Sequence, residues 1–135
     1  MATVGFTHKL TKGYNTDMGT LTAVAQTFTG NAQSGLFVDV PAGATNQVEI
    51  LSVNRAKVIS LCLATSKAPV TIKTNSSSAP QDTINIVSPS YPAMIEWDSS
   101  QTSVANPFSG DVTSVYLTNS SATLTTIHIE VLLTD

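Results

Sequence analysis

Charge is scarce in this chain. Asp, Glu, Lys and Arg together make up 11% of 135 residues, against about a quarter in an average soluble domain. The six cations, Lys9, Lys12, Arg55, Lys57, Lys67 and Lys73, are scattered and the net charge is −3. There is thus no basic stripe to meet a phosphate backbone, and nucleic acid is not an expected partner. Cysteine occurs once, at Cys62, which rules out an intramolecular disulfide. Within the apolar run VISLCLA that thiol is expected to be a small buried hydrophobe. No segment comes near the roughly 18 apolar residues that a membrane helix needs, and the N-terminus has neither the basic start nor the continuous apolar stretch of a signal peptide. No membrane partner is expected. Aromatic residues are few, at 6%, with a single tryptophan.

Hydroxyl side chains fill the gap left by charge. The chain carries 16 Ser and 20 Thr, which can coat the outer face of a sheet without ionising. Freely diffusing proteins usually keep more charge for solubility, so this composition suits a subunit of an assembly. The length is that of one domain able to bury a core without disulfides or a structural metal.

The stretch from Asp111 to Leu133 sets the pattern for the rest. Ile127, Ile129, Val131 and Leu133 recur at every second position, opposite His128, Glu130 and Leu132, and Val115 and Leu117 alternate with Ser114, Tyr116 and Thr118. Period-two alternation places each set on one face of a strand. Joined by Asn119-Ser120-Ser121-Ala122, the two arms read as a β-hairpin with one buried face. Upstream, strands are expected at Leu21–Phe28, Gly35–Val40, Gln47–Val53, Lys57–Ala64, Pro69–Thr74, Asp82–Val87 and Ala93–Trp97. The Lys57–Ala64 run is apolar on both sides and reads as a central strand. Residues 1–20, polar and punctuated by glycine, read as an extended N-terminal arm, either a first strand on this domain or a segment reaching a neighbour. No amphipathic helix or internal repeat is evident. The expected fold is all-β: a two-sheet antiparallel β-sandwich or jelly roll over 21–135 with the arm before it.

Chemistry-bearing residues are thin on the ground. His128 and Glu130, two apart on one strand face, form the only suggestive pair and read as a hydrogen-bonded surface pair, since two ligands without a third do not make a metal site. Asp82, Asp98 and Asp111 sit beside turns, where a carboxylate accepts from local backbone N–H groups. Asn75-Ser76-Ser77 and Asn119-Ser120-Ser121 match glycosylation sequons but read first as turn chemistry. No nucleophile elbow, phosphate loop, zinc helix or calcium loop is present. No catalytic residue, cofactor or metal is expected. A sugar site would draw on Tyr91, Trp97, Phe108 and Tyr116 as an aromatic surface.

From Trp97 onward the order W-D, A-N-P-F-S-G-D-V-T-S-V-Y-L-T-N-S-S-A-T-L and the alternating I-x-I-x-V-L-L-T-D end resemble small β-sandwich virion proteins of tailed bacteriophages. Within that group the chain looks most like capsid decoration (cement) proteins. The resemblance implies a non-enzymatic subunit on the capsid surface, made in the host cytoplasm, which acts as a homo-oligomer, a trimer by preference, and clamps the major capsid protein or other virion subunits. Thr3, Val4, Phe6 and Leu10 are the expected partner-contact positions of the arm. The competing expectation is a glycan-binding or receptor-binding module of a phage tail or fibre.

Overall fold

The computed structural model describes residues 5–87 and 93–135, with side chains described except at 12–14, 21–24 and 93. Among these residues it is a β protein of ten strands and a single 3-10 turn, Arg55–Lys57. The strands are β1 (Phe6–Thr16), β2 (Gly19–Gly30), β3 (Ala32–Val40), β4 (Gln47–Val53), β5 (Val58–Thr65), β6 (Val70–Thr74), β7 (Thr83–Ile86), β8 (Ala93–Asp98), β9 (Val112–Asn119) and β10 (Thr125–Leu133).

Eight of them form two four-stranded antiparallel sheets, β3-β10-β5-β8 and β4-β9-β6-β7, which pack face to face. The pairings are nested: β3 with β10, β4 with β9, β5 with β8, and β6 with β7. Such a ribbon of paired segments, rolled so that successive pairs fall in alternate sheets, is the strand order of a jelly roll. Further pairing of β10 with β5 and of β9 with β6 completes each sheet. The core between the sheets comes from the alternation read in the sequence: Leu63, Ile127, Ile129 and Val131 from one side meet Ile72, Val115 and Leu117 from the other, all fully buried. Ile84 and Ile86 also point inward, as their spacing predicts.

The Asp111–Leu133 stretch departs from its expected form. Its two arms are strands with one buried face each, but β9 and β10 do not pair; they are central strands of opposite sheets. Each apolar stripe meets the same core from its own side, so alternation alone does not distinguish a hairpin from a crossing between sheets. Asn119 makes the crossing. Its fully buried side chain sits within 2.8 to 3.1 Å of the carbonyls of Val40, Pro41 and Thr123 through Nδ2, while Oδ1 accepts from the Ser121 backbone N–H and hydroxyl. Three backbone segments are thereby joined by one amide.

The N-terminal region also takes a definite form. Residues 6–16, read as part of an extended arm, pair antiparallel with residues 19–30 as a long hairpin closed by Asp17 and Met18. It forms a two-stranded sheet of its own. Its base approaches the outer face of β3-β10-β5-β8 so closely that a Cβ at Gly30 would collide with the carbonyl oxygen of Leu133. Glycine is the residue that permits such backbone proximity. From Asn15 to Thr20 and from Ala25 to Thr27 the side chains are exposed, so the distal part of the ribbon stands clear of the sandwich.

Asn119→Ala removes the amide and orphans buried carbonyls, an expected loss of about 2 to 4 kcal/mol. Ser120→Ala, one residue on and exposed, is expected to stay within about 0.5 kcal/mol of the parent. Urea unfolding of the two variants checks the difference.

Candidate functional site

The base of the hairpin roofs a cleft of about 660 Å³ over the outer face of β3-β10-β5-β8. Strand register builds its floor. One row across the sheet runs Leu132, Ser60, Asp98, and the next runs Glu130, Cys62, Glu96. Period two aims these side chains away from the core, because Leu61, Leu63 and Val131 between them point into it. The roof carries His8, Leu10 and Phe28, of which His8 and Phe28 are opposite each other in the hairpin.

His8 ties roof to floor. Its Nδ1 lies 2.9 Å from the hydroxyl of the buried Ser60. Burial holds the imidazole below the ordinary histidine value, partly countered by the nearby Glu130 carboxylate. Cys62, in contrast to the buried hydrophobe expected from VISLCLA, is only half-buried. It points into the cleft because its strand has a covered but not closed outer side. Burial pushes its thiol up, and Glu130 pushes it further. His128 and Glu130 form the expected surface pair, with Nε2 2.8 Å from Oε1, and Phe37 stands edge-on to His128 at 5.1 Å.

Ser60, His8 and Asp98 have the composition of a hydrolytic triad, but the electrostatics oppose that chemistry. Glu96, Asp98 and Glu130 outnumber Lys9 among the charged residues lining the cleft, which disfavours a developing oxyanion. The Asp98 carboxylate holds the following turn, accepting from the Ser100 backbone N–H at 2.9 Å, from the Ser100 hydroxyl and from Gln101 Nε2 at 3.0 Å. The thiol is driven away from the thiolate, the form that attacks. Among the described residues no group of three or more His, Cys, Asp or Glu is placed to hold a metal ion.

The other two turn-side aspartates tie distant segments together, where contact with their own local backbone was expected. Asp111 accepts from the Arg55 backbone N–H at 2.9 Å, and Asp82 accepts from the Ser109 backbone N–H at 3.1 Å. Asn75 likewise binds backbone, donating to the carbonyl of Asp111 at 2.8 Å and accepting from the Thr113 N–H at 2.8 Å. Both sequon asparagines are thus structural ties.

The three aromatic positions among the described residues do not gather into a platform. Phe108 is fully buried in the core, where an apolar ring in an irregular stretch fills space between sheets. Trp97 is packed against the core from a sheet edge, its Nε1–H donating to the carbonyl of Val104 at 2.9 Å. Tyr116 stands half-exposed on the outer face of the other sheet, and Tyr91 lies outside the described residues. Of the arm positions, Thr3 and Val4 also lie outside them. Phe6 and Leu10 are half-buried, and Leu10 faces the chain's own cleft.

What sequence reasoning missed is the exposed apolar pair Val48 and Ile50 on β4, 55% and 79% exposed. Its signal was present, since QVEILSV has apolar residues on both faces and only one can reach the core. No family model, curated protein or solved structure matches this chain.

Two outcomes follow from the cleft. Because the folded protein holds the His8 pKa below its ordinary value of 6.5, the unfolded chain binds the proton more readily. The stabilisation that His8 gives is present above that value and is lost as pH falls through the lower folded one. Comparing urea unfolding at about pH 7.5 and about pH 5, His8→Gln is expected to show the smaller drop. For Cys62, iodoacetamide at about pH 8 is expected to react several-fold more slowly than with a free thiol. Glu130→Gln, which removes the repelling carboxylate, is expected to quicken it, as followed by mass spectrometry.

Proposed function

We propose that this chain is a non-enzymatic structural subunit of a virion, a capsid decoration protein that binds and stabilises a phage head shell as a homo-oligomer, with the trimer favoured. The observation that carries the reading is the projecting β1-β2 ribbon. Among the described residues each of its strands pairs only with the other, so both outer edges offer N–H and C=O groups to a further strand. Such an edge accepts a further strand, and strand addition is a recurrent way for one chain to hold another. A two-stranded ribbon is marginal on its own in water. Contact with another subunit would stabilise it.

Two further features agree with this reading. The jelly-roll body is a rigid two-sheet block whose anchoring aspartates and asparagines hold loops in place. The low charge and abundant Ser and Thr permit broad contact without desolvating ions, which is costly. The resemblance of the segment from Trp97 onward to phage virion proteins points the same way. Weak contacts made at once to several shell subunits reinforce one another through their fixed geometry. The capsid contact then falls to the outer strand edges of the ribbon beyond Leu10, not to its tip, because Phe6 and Leu10 themselves are half-buried.

Density for this chain on the head shell in electron micrographs of the native particle is the expected result. Replacing residues 14–21 by an Asn-Gly turn is expected to lower co-sedimentation with shells at least tenfold while leaving the thermal unfolding of the sandwich in place. Location away from the head, or equal shell binding by the shortened chain, sinks the proposal.

A further inference from the structure

Among the large apolar residues that the fold leaves exposed, which also include Phe37, Val87, Met94, Val104 and Leu124, those in two places suit each other. One is the ribbon tip, where Met18 is 99% exposed and is preceded by Asp17. A methionine held out at the end of a two-residue turn is a flexible apolar knob. The turn is held in shape by Thr16, whose hydroxyl accepts from the Met18 N–H at 3.2 Å and donates to the carbonyl of Gly19 at 3.0 Å.

The other place is the outer face of β4-β9-β6-β7. Register sets Val48, Tyr116 and Lys73 side by side across three strands, with Ile50 two residues along from Val48 and opposite Ser114. The remaining outward residues of these strands are Ser52, Thr71, Thr83, Asn85, Ser114 and Thr118, so Lys73 is the only charge on the face. Its ammonium uses one of three donors on the carbonyl of Ser77 at 2.9 Å. A sheet face turned to water normally alternates polar residues outward. This one presents valine, isoleucine and tyrosine beside a single cation.

We propose that the Asp17-Met18 tip of one copy docks on the Val48-Ile50-Tyr116 face of a second copy, with the Asp17 carboxylate directed to Lys73. Apolar knob meets apolar patch and the one acidic group of the tip meets the one basic group of the face. A chain does not fill its own patch, because the hairpin rests on the outer side of one sheet and the patch faces outward from the other. The contact is therefore head-to-tail.

Area decides what assembly it can support. About eight residues per strand at roughly 3.3 Å each, across a ribbon about 10 Å wide, give a face on the order of 260 Å². A stable pair of proteins needs about 800 Å² on each side. One docked tip is too little for a dimer. In a closed ring every copy gives a tip and receives one, and no contact breaks without straining the others. The docking rests on the oligomeric reading above and supplies its subunit contact.

Disulfide trapping tests it on the full chain. Met18→Cys and Ile50→Cys, each combined with Cys62→Ser, are mixed and mildly oxidised. Covalent dimers are expected in the mixture and not in either variant alone. Light scattering is expected to show that Ile50→Glu lowers the mass to that of one chain, and that Asp17→Lys does so until Lys73→Asp restores assembly. Absence of the mixed disulfide, or an unchanged mass in Ile50→Glu, overturns the docking. Shell binding measured in parallel separates the two ideas: single chains that still decorate shells defeat only the docking, whereas rings that ignore shells defeat only the decoration role.

Discussion

The sandwich depends on the burial of two central strands, β9 and β10, against each other across the core although only five residues separate them in the chain. Val115 and Leu117 on one and Ile127 and Ile129 on the other are fully buried, and each strand is flanked on both sides within its own sheet. Had the two paired as a hairpin, both stripes would lie in one sheet and the second sheet would lose its centre. Asn119 prevents this by holding the end of β9 against the carbonyls that follow β3, so that the chain turns across the core instead of back along the same sheet. A side-chain amide can do this because it donates and accepts in one plane.

Strand positions were legible in the sequence because alternation is a property of a strand by itself. Leu36, Val38 and Val40, or Ile84 and Ile86, declare a buried face whatever their neighbours. Pairing is different. It depends on residues far away in the chain, which is why the Asp111–Leu133 stretch reads as a hairpin and folds as a crossing between sheets. The pairing of the N-terminal hairpin escaped notice for the same reason: a strand at Leu21–Phe28 was legible and residues 1–20 could be a strand, but nothing in their weak, hydroxyl-rich alternation tells that the two pair with each other. Phe108 was read as a surface aromatic because it lies in an irregular stretch, yet irregular backbone can still deliver a ring to the core. The cleft was the least legible feature, since it needs His8 from the hairpin and Ser60, Cys62 and Glu130 from two other strands.

The two outer faces of the body are treated differently by the fold. The β3-β10-β5-β8 side is partly roofed by the chain's own ribbon, tied down by the His8–Ser60 contact, and it also carries the His128–Glu130 surface pair. Among the described residues the β4-β9-β6-β7 side has no such cover, and Val48 and Ile50 stay in solvent. A low-charge protein has little means of hiding such residues except contact with something else, which ties the composition to the assembly role proposed here.

The position of β10 has a consequence for synthesis. It is the bridge between β3 and β5, made nearly a hundred residues after β3 begins. Until β10 emerges from the ribosome, β3 lacks its neighbour in the sheet and the half-built core stays open to water. Nascent chains stopped short of Thr125 should then be prey for chaperones and proteases.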